Sequence, residues 1–231
     1  MLTIGLIGGM SWQSTAQYYR LANEIVHDRM GGYHSAQCLI YSVDFATIEA
    51  LQIEDRWHDA GEVLASAAKR LEAGGADLIL ICANTMHKAF DQVVAAVSVP
   101  LLHVADVTAA VAKNAGITTI GLLGTRYKMD QMFYRDRLAG HGLDVLVPDD
   151  EDRALIHRII YAELVHGVFS DPSRAEFVSM IDRLTGRGAQ GVILGCTEIE
   201  LLISQKDTPV PVFPTTRIHI EAAVDRALAA S

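Results

Sequence analysis

The segment RLEAGGADLILICANT, Arg70 to Thr85, lies over RLTGRGAQGVILGCTE, Arg183 to Glu198, without a gap and at an offset of 113 residues. Arg-Leu, Gly-Ala and the aliphatic run recur. A second pair, IGLIGG from Ile4 and IGLLGT from Ile120, repeats at an offset of 116. All βα units share a helix, a Gly-Ala turn and an aliphatic strand, so part of this echo is generic. Two separate strands recurring in the same order, each closing in a small polar cluster, are not. The chain is therefore expected to be two related α/β lobes. Short aliphatic runs alternate with longer stretches of helical period, as in LTIGLIG followed by TAQYYRLANEIVHDRM, and this alternation predicts largely parallel sheets. The pattern restarts near Pro100. The expected organisation is a first lobe over 1–100 to which the closing strand and helix, 210–231, return, and a second lobe over 101–209.

Composition narrows the function classes. Half of the 231 residues are hydrophobic and 6% aromatic, an aliphatic, core-forming balance. Nineteen Lys and Arg against 28 Asp and Glu give a net charge of −9, with no basic run and no aromatic-basic interleaving. That argues against nucleic acid or an anionic membrane surface as partner. The opening MLTIGLIGG has no charged n-region, and no apolar run approaches the ~18 residues of a membrane span; the expected location is the cytoplasm. Cys38, Cys82 and Cys196 are odd in number and lack CxxC pairing, which fits reduced thiols. Nine scattered histidines show no metal-ligand spacing, so no metal site is expected.

In parallel α/β sheets ligands bind outside the carboxyl ends of strands, so the two polar clusters are expected to border one cleft between the lobes. In the alignment Ala83 falls opposite Cys196, Asn84 opposite Thr197, and Thr85 opposite Glu198. Cys196 is then the one thiol at the cleft. A cysteine where a strand meets a helix feels backbone amides and the helix dipole, which are expected to lower its pKa and open roles as base, nucleophile or redox centre. Cys38, in mid-strand, reads as a small core hydrophobe. His87 reads as a helix-start residue that braces the site.

IGLIGGMSWQST, SAQCLIYSVDF, ANTMH, LLHVADVTAA, IGLLGTRYKM and GVILGCTEIELL together resemble the aspartate/glutamate racemase family, and the broad-specificity amino-acid racemases of enteric bacteria in particular. The resemblance implies a pseudo-two-fold pair of Rossmann-like lobes and a cofactor-independent racemase of an acidic amino acid, with neither pyridoxal phosphate nor metal. It also implies a homodimer. One thiolate takes the α-hydrogen and a thiol on the opposite face returns a proton. Removing a proton beside a carboxylate develops a dianionic enediolate, so donors must point at that carboxylate. By the resemblance Asn84, Thr85, Thr197 and Glu198 bind the α-carboxylate, Thr125 adds a donor, and Met10 and Gln52 line the pocket. Arg126 and Lys128 are candidates for the distal carboxylate but read better as solvated surface.

One position departs from the family. The usual first-lobe motif is Cys-Asn-Thr or Thr-Asn-Thr, and this chain reads Ala83-Asn84-Thr85. A methyl group neither accepts nor donates a proton. Cys82 is one residue away, and neighbouring strand residues point to opposite faces, which makes it a poor substitute. Several readings remain open. Cys196 could work alone, with water or a polar group serving the other face. Ala83 could be an engineered replacement that holds substrate without turnover. A lone second-lobe cysteine also resembles the arylmalonate decarboxylases of the same superfamily, which need only a proton donor. A non-catalytic amino-acid-binding protein is the reading from another class.

Overall fold

The computed structural model describes residues 1–229. They divide into two compact units, Met1–His103 with the chain from His219 onward, and Val104–Ile218. In the first unit β1 (Ile4–Gly8), α1 (Trp12–Met30), β2 (Cys38–Ser42), α2 (Phe45–Ile53), α3 (Trp57–Ala73), β3 (Leu78–Ile81) and α4 (Phe90–Val94) follow in order. The strands pair in parallel as β2-β1-β3, with Ile4 opposite both Cys38 and Leu78. The second unit holds α5 (Val104–Asn114), β4 (Thr119–Leu123), α6 (Arg126–Asp130), α7 (Met132–Gly140), β5 (Asp144–Leu146), α8 (Asp150–Ala162), α9 (Asp171–Gly186), β6 (Val192–Leu194), α10 (Thr197–Leu202) and β7 (Val212–Pro214). Its sheet runs β5-β4-β6-β7, again parallel throughout. Helix α11 (Thr215–Ala229) closes the described chain.

The aliphatic runs become strands because helices cover both sheet faces, which removes any need for polar alternation. In the first unit Ile79 and Ile81 join Ile7, Ile48, Leu64 and Phe90 on one face. Leu78, Leu80 and Cys82 join Tyr18, Leu21, Ile25 and Val224 on the other. In the second unit Leu123, Val192 and Leu194 pack with Ile156, Phe177 and Ile181, while Ile120, Leu122 and Ile193 pack with Tyr134, Leu138 and Phe213. Helix starts carry the side chains that satisfy their free amides. Ser11 accepts from the Ser14 amide at 3.2 Å, and Asp149 from the Asp152 amide at 3.0 Å.

The closing strand lies elsewhere than expected. Val212–Pro214 pairs with β6 in the second sheet, Val212 opposite Val192, so residues 210–214 belong with the second unit rather than the first. Seventeen residues, 195–211, join β6 to β7 and include α10, the length of a single helical crossover into the neighbouring position of the same sheet. The first sheet has its own counterpart, a parallel bridge between Ile79 and Leu101. The repeat thus includes a fourth edge, reduced to one bridge in the first unit.

His219, at the first-unit part of α11, is fully buried. Its Nε2 is 2.9 Å from the Leu102 carbonyl and its Nδ1 is 2.9 Å from the Tyr18 hydroxyl. A carbonyl only accepts, so Nε2 carries the proton and Nδ1 accepts from Tyr18. Burial pulls the imidazole pKa down to about 4. Between about pH 6.5 and 4 the unfolded chain then binds a proton at His219 that the folded chain refuses, and stability falls as pH falls through that window. Thermal unfolding against pH should show a shallower acid decline in His219→Gln, whose amide can keep both hydrogen bonds; an unchanged decline would refute the assignment.

Candidate functional site

The first-lobe cluster follows β3. Gly9, at φ +96°, turns the chain after β1 where any Cβ would meet the Val43 carbonyl oxygen at 2.1 Å. The Gly9 amide donates to Thr15 Oγ1 at 2.8 Å, and that hydroxyl donates to the Ser11 carbonyl at 3.0 Å. The opening Gly-Gly-Met-Ser is thereby fastened to the first turn of α1. From that turn Ser14 Oγ donates to the Cys82 carbonyl at 3.0 Å. His87, in the single 3₁₀ turn after the strand, holds the next carbonyl, that of Ala83, at 3.0 Å through Nδ1. Two consecutive peptide oxygens at the end of β3 are thus fixed from two elements.

Ala83 is half-buried against the core that contains Ile79, Ile81, Met10 and Met86. Cys82 is on the opposite face, fully buried, its thiol pushed well up by desolvation. It is a core residue. Asn84 is buried, Thr85 half-buried, and Met10 buried. Gln52 is buried rather than solvated, its Nε2 3.0 Å from Met86 Sδ. Behind His87 stand two imidazoles that sequence reasoning did not single out. His103 and His219 have ring centroids 4.7 and 5.4 Å from that of His87, and Phe90 stacks on His87 at 5.9 Å while meeting His103 edge-on at 4.6 Å. Among the described residues no group of histidine, cysteine and carboxylate side chains is arranged to hold a metal ion.

The second-lobe cluster follows β6. Cys196 keeps partial exposure, packs against the core around Leu194 and Ile199, and donates its Sγ proton to Glu198 Oε2 at 2.8 Å. Glu198 and Thr197 are buried, and Thr197 Oγ1 is 2.9 Å from Thr216 Oγ1. Thr125, also buried, precedes α6 with its carbonyl accepting the Lys128 and Met129 amides.

Two expectations fail here. The thiol of Cys196 is raised well above its usual range, first by desolvation and then by the neighbouring Glu198 carboxylate, which repels the thiolate and binds the S–H. The amides of a six-residue helix do not overcome this. Lys128, expected at the surface, is fully buried. Its Nζ donates to the Gly195 carbonyl at 3.2 Å and lies 3.5 Å from the centroid of Tyr134. Arg126 is the solvated partner of the two, 59% exposed and paired with Asp130 at 2.7 Å.

Glu200 completes the second cluster and was not foreseen, since a carboxylate on a short helix ordinarily faces water. It is half-buried, with its carboxyl inside the lobe and its pKa pushed up to about 8 by desolvation. Oε1 accepts from the Thr216 amide at 2.7 Å and lies 3.1 Å from Thr215 Oγ1. That hydroxyl is also 2.9 Å from the Leu194 carbonyl, to which it must donate.

The profile of the Asp/Glu/hydantoin racemase family matches residues 7–223 of this chain. The chain belongs to that family. A candidate Asp/Glu racemase from Yersinia pestis is 52% identical, with a TM-score of 0.93 over 99% of this chain and all of that one. An aspartate racemase homologue from Pyrococcus horikoshii is 37% identical, with a TM-score of 0.88 over the same shares. RacX of Bacillus subtilis, named as a broad specificity amino-acid racemase, is 22% identical over 238 residues, 98% of each chain.

The Glu198 carboxylate adds to desolvation in raising the Cys196 thiol. Glu198→Gln removes the like charge while keeping an acceptor, so the thiol should ionise at lower pH. Alkylation of Cys196 by iodoacetamide, resolved by peptide mass spectrometry, should be about tenfold faster at about pH 8 in the variant. A slower or unchanged rate would contradict the role given to Glu198.

Proposed function

We propose that this protein exchanges the α-hydrogen of an acidic amino acid, aspartate, glutamate or a close analogue, with Cys196 as the acid/base and no cofactor. The observation that carries the reading is the Cys196 thiol hydrogen-bonded to Glu198 at the end of β6, in a chain of this family. Asn84, Thr85, Thr125 and Thr197 supply donors for the substrate carboxylate. Cys196 as thiolate takes the α-hydrogen. The C–H electron pair moves into the carboxylate to give the enediolate, and return of a proton to Cα regenerates the amino acid. Ala83 contributes no proton. On that side a water held by the neighbouring polar residues returns the proton, and inversion is slow relative to exchange.

A second reading draws support from the raised thiol. A group that stays protonated at neutral pH is suited to donating, and a decarboxylase of a malonate-type acid needs a donor only. Loss of carbon dioxide would generate the enediolate that Cys196 then protonates.

The test is incubation with each enantiomer of aspartate and glutamate in deuterium oxide, following α-hydrogen loss by NMR and configuration by chiral chromatography. Exchange that drops at least about 10²-fold in Cys196→Ala is expected. Ala83→Thr or Ala83→Cys should raise the share of inverted product. Absence of exchange in the unaltered chain and in both Ala83 variants, with carbon dioxide released from an arylmalonate, would replace the racemase reading by the decarboxylase one.

A further inference from the structure

We propose that Lys128 is a positioning residue for Cys196, an amino group sealed inside the second lobe whose charge governs when that thiol ionises. The proposal rests on reading Cys196 as the working acid/base. Lys128 extends from α6 beneath the strand end that carries the thiol, and none of its surface reaches solvent. The Nζ sits between the Tyr134 ring, 3.5 Å from its centroid, and the carbonyl of Gly195, 3.2 Å away. That carbonyl belongs to the peptide unit joining Gly195 to Cys196.

The site is shaped around the amine. A Cβ at residue 195 would stand 2.4 Å from Nζ and 2.7 Å from the Leu123 carbonyl oxygen, and one at Gly124 would stand 3.1 Å from Lys128 Cδ. Glycine at both strand ends leaves the channel the side chain occupies. Burying an ammonium is costly unless partners compensate. The compensating groups at hand are the Tyr134 π face, the Gly195 oxygen and two acidic neighbours, Cys196 and Glu200, which both favour the charged lysine. Lys128 in turn favours the Cys196 thiolate and the Glu200 carboxylate. Glu198 opposes ionisation of the thiol, and Tyr134 stays neutral because burial pushes its phenol up.

The three groups therefore titrate as one coupled set. A proton that leaves Cys196 is favoured by a charge on Lys128, whether that charge is already present or arrives as the thiol's proton is redistributed. Glu198 raises the thiol and Lys128 lowers it, so the acid/base sits between a carboxylate at hydrogen-bonding distance and a sealed amine that desolvation pushes well down and that Cys196 and Glu200 draw back toward charge.

Lys128→Met has similar length and no charge, and relieves the desolvation of an amine. A packing role and a positioning role predict different outcomes. The variant should melt at or above the temperature of the unaltered protein. Yet iodoacetamide should modify Cys196 about tenfold more slowly at about pH 8, with the rate-against-pH midpoint displaced upward. An unchanged or lowered midpoint in folded Lys128→Met would overturn the proposal. Should Lys128→Met fail to fold, Lys128→Gln gives the same reading. The reciprocal measurement needs neither: in Cys196→Ser, the ε-carbon resonance of Lys128 in protein labelled with [ε-13C]lysine should titrate at lower pH, and no displacement would likewise refute the coupling. These readouts use no substrate. Intact coupling without α-hydrogen exchange would sink the racemase reading alone, and exchange with no lysine effect on the thiol would sink this proposal alone.

Discussion

The paired strands of both sheets run parallel, and β1, β3, β4 and β6 are buried on both faces, so the carboxyl end of such a strand is the first place where the chain can present polar side chains without stranding them in the core. Both candidate clusters obey that constraint. The last apolar residues of β3 and β6, Ile81 and Leu194, are buried, and within one to three residues each chain delivers its polar set. What holds those ends differs from ordinary loop structure. In the first lobe Ser14 and His87 fix successive carbonyls, and in the second the Gly195 amide donates back to the Leu123 carbonyl at 2.7 Å while Lys128 holds the Gly195 oxygen. The polar residues stand on supports rather than on mobile connections, as accurate placement of catalytic donors requires.

The lobes repeat a frame, and the chemistry on it differs. Around Ala83 the buried polar groups are hydroxyls, amides and imidazoles. His219 is held uncharged by burial, down to about 4, and accepts from Tyr18, while His87 carries its Nδ1 proton toward a carbonyl. Around Cys196 the groups are ionisable and coupled: a thiol, two carboxyls and a buried lysine. A duplicated backbone explains why strand order and turns agree, because these follow from aliphatic periodicity and short connections. It places no demand on the polar residues at the strand ends, which are free to diverge.

That division also explains what could be read from the sequence. The α/β class, the parallel sheets and the strand-end positions of Ala83 and Cys196 follow from local period and from the ungapped echo, both properties of short segments. The assignment of Val212–Pro214 does not, because an aliphatic run of three residues carries no information on which sheet it joins. Burial of Lys128 was invisible for a related reason. Its immediate sequence, Arg126-Tyr127-Lys128, reads as a solvated turn, and only Gly124 and Gly195, 71 residues apart, open the channel that hides it. The acidity of Cys196 was misjudged because a helix start was visible in the sequence while desolvation was not. Glu198, two residues along, carried the one legible warning, since a carboxylate that close can return to the thiol it follows.

Proton inventory then bears on what a methyl at position 83 means. Racemisation by two thiols needs one protonated and one ionised at the start, and each half-reaction exchanges their states. Here the second lobe holds an acid and an acceptor side by side, Cys196 S–H on Glu198. On the reading proposed above, such a pair removes a hydrogen and returns it on one face of Cα without help from the first lobe. On the proposed reading the chain therefore retains half of the reaction in full: exchange at Cα survives loss of the opposing base, and what Ala83 takes away is the commitment to inversion.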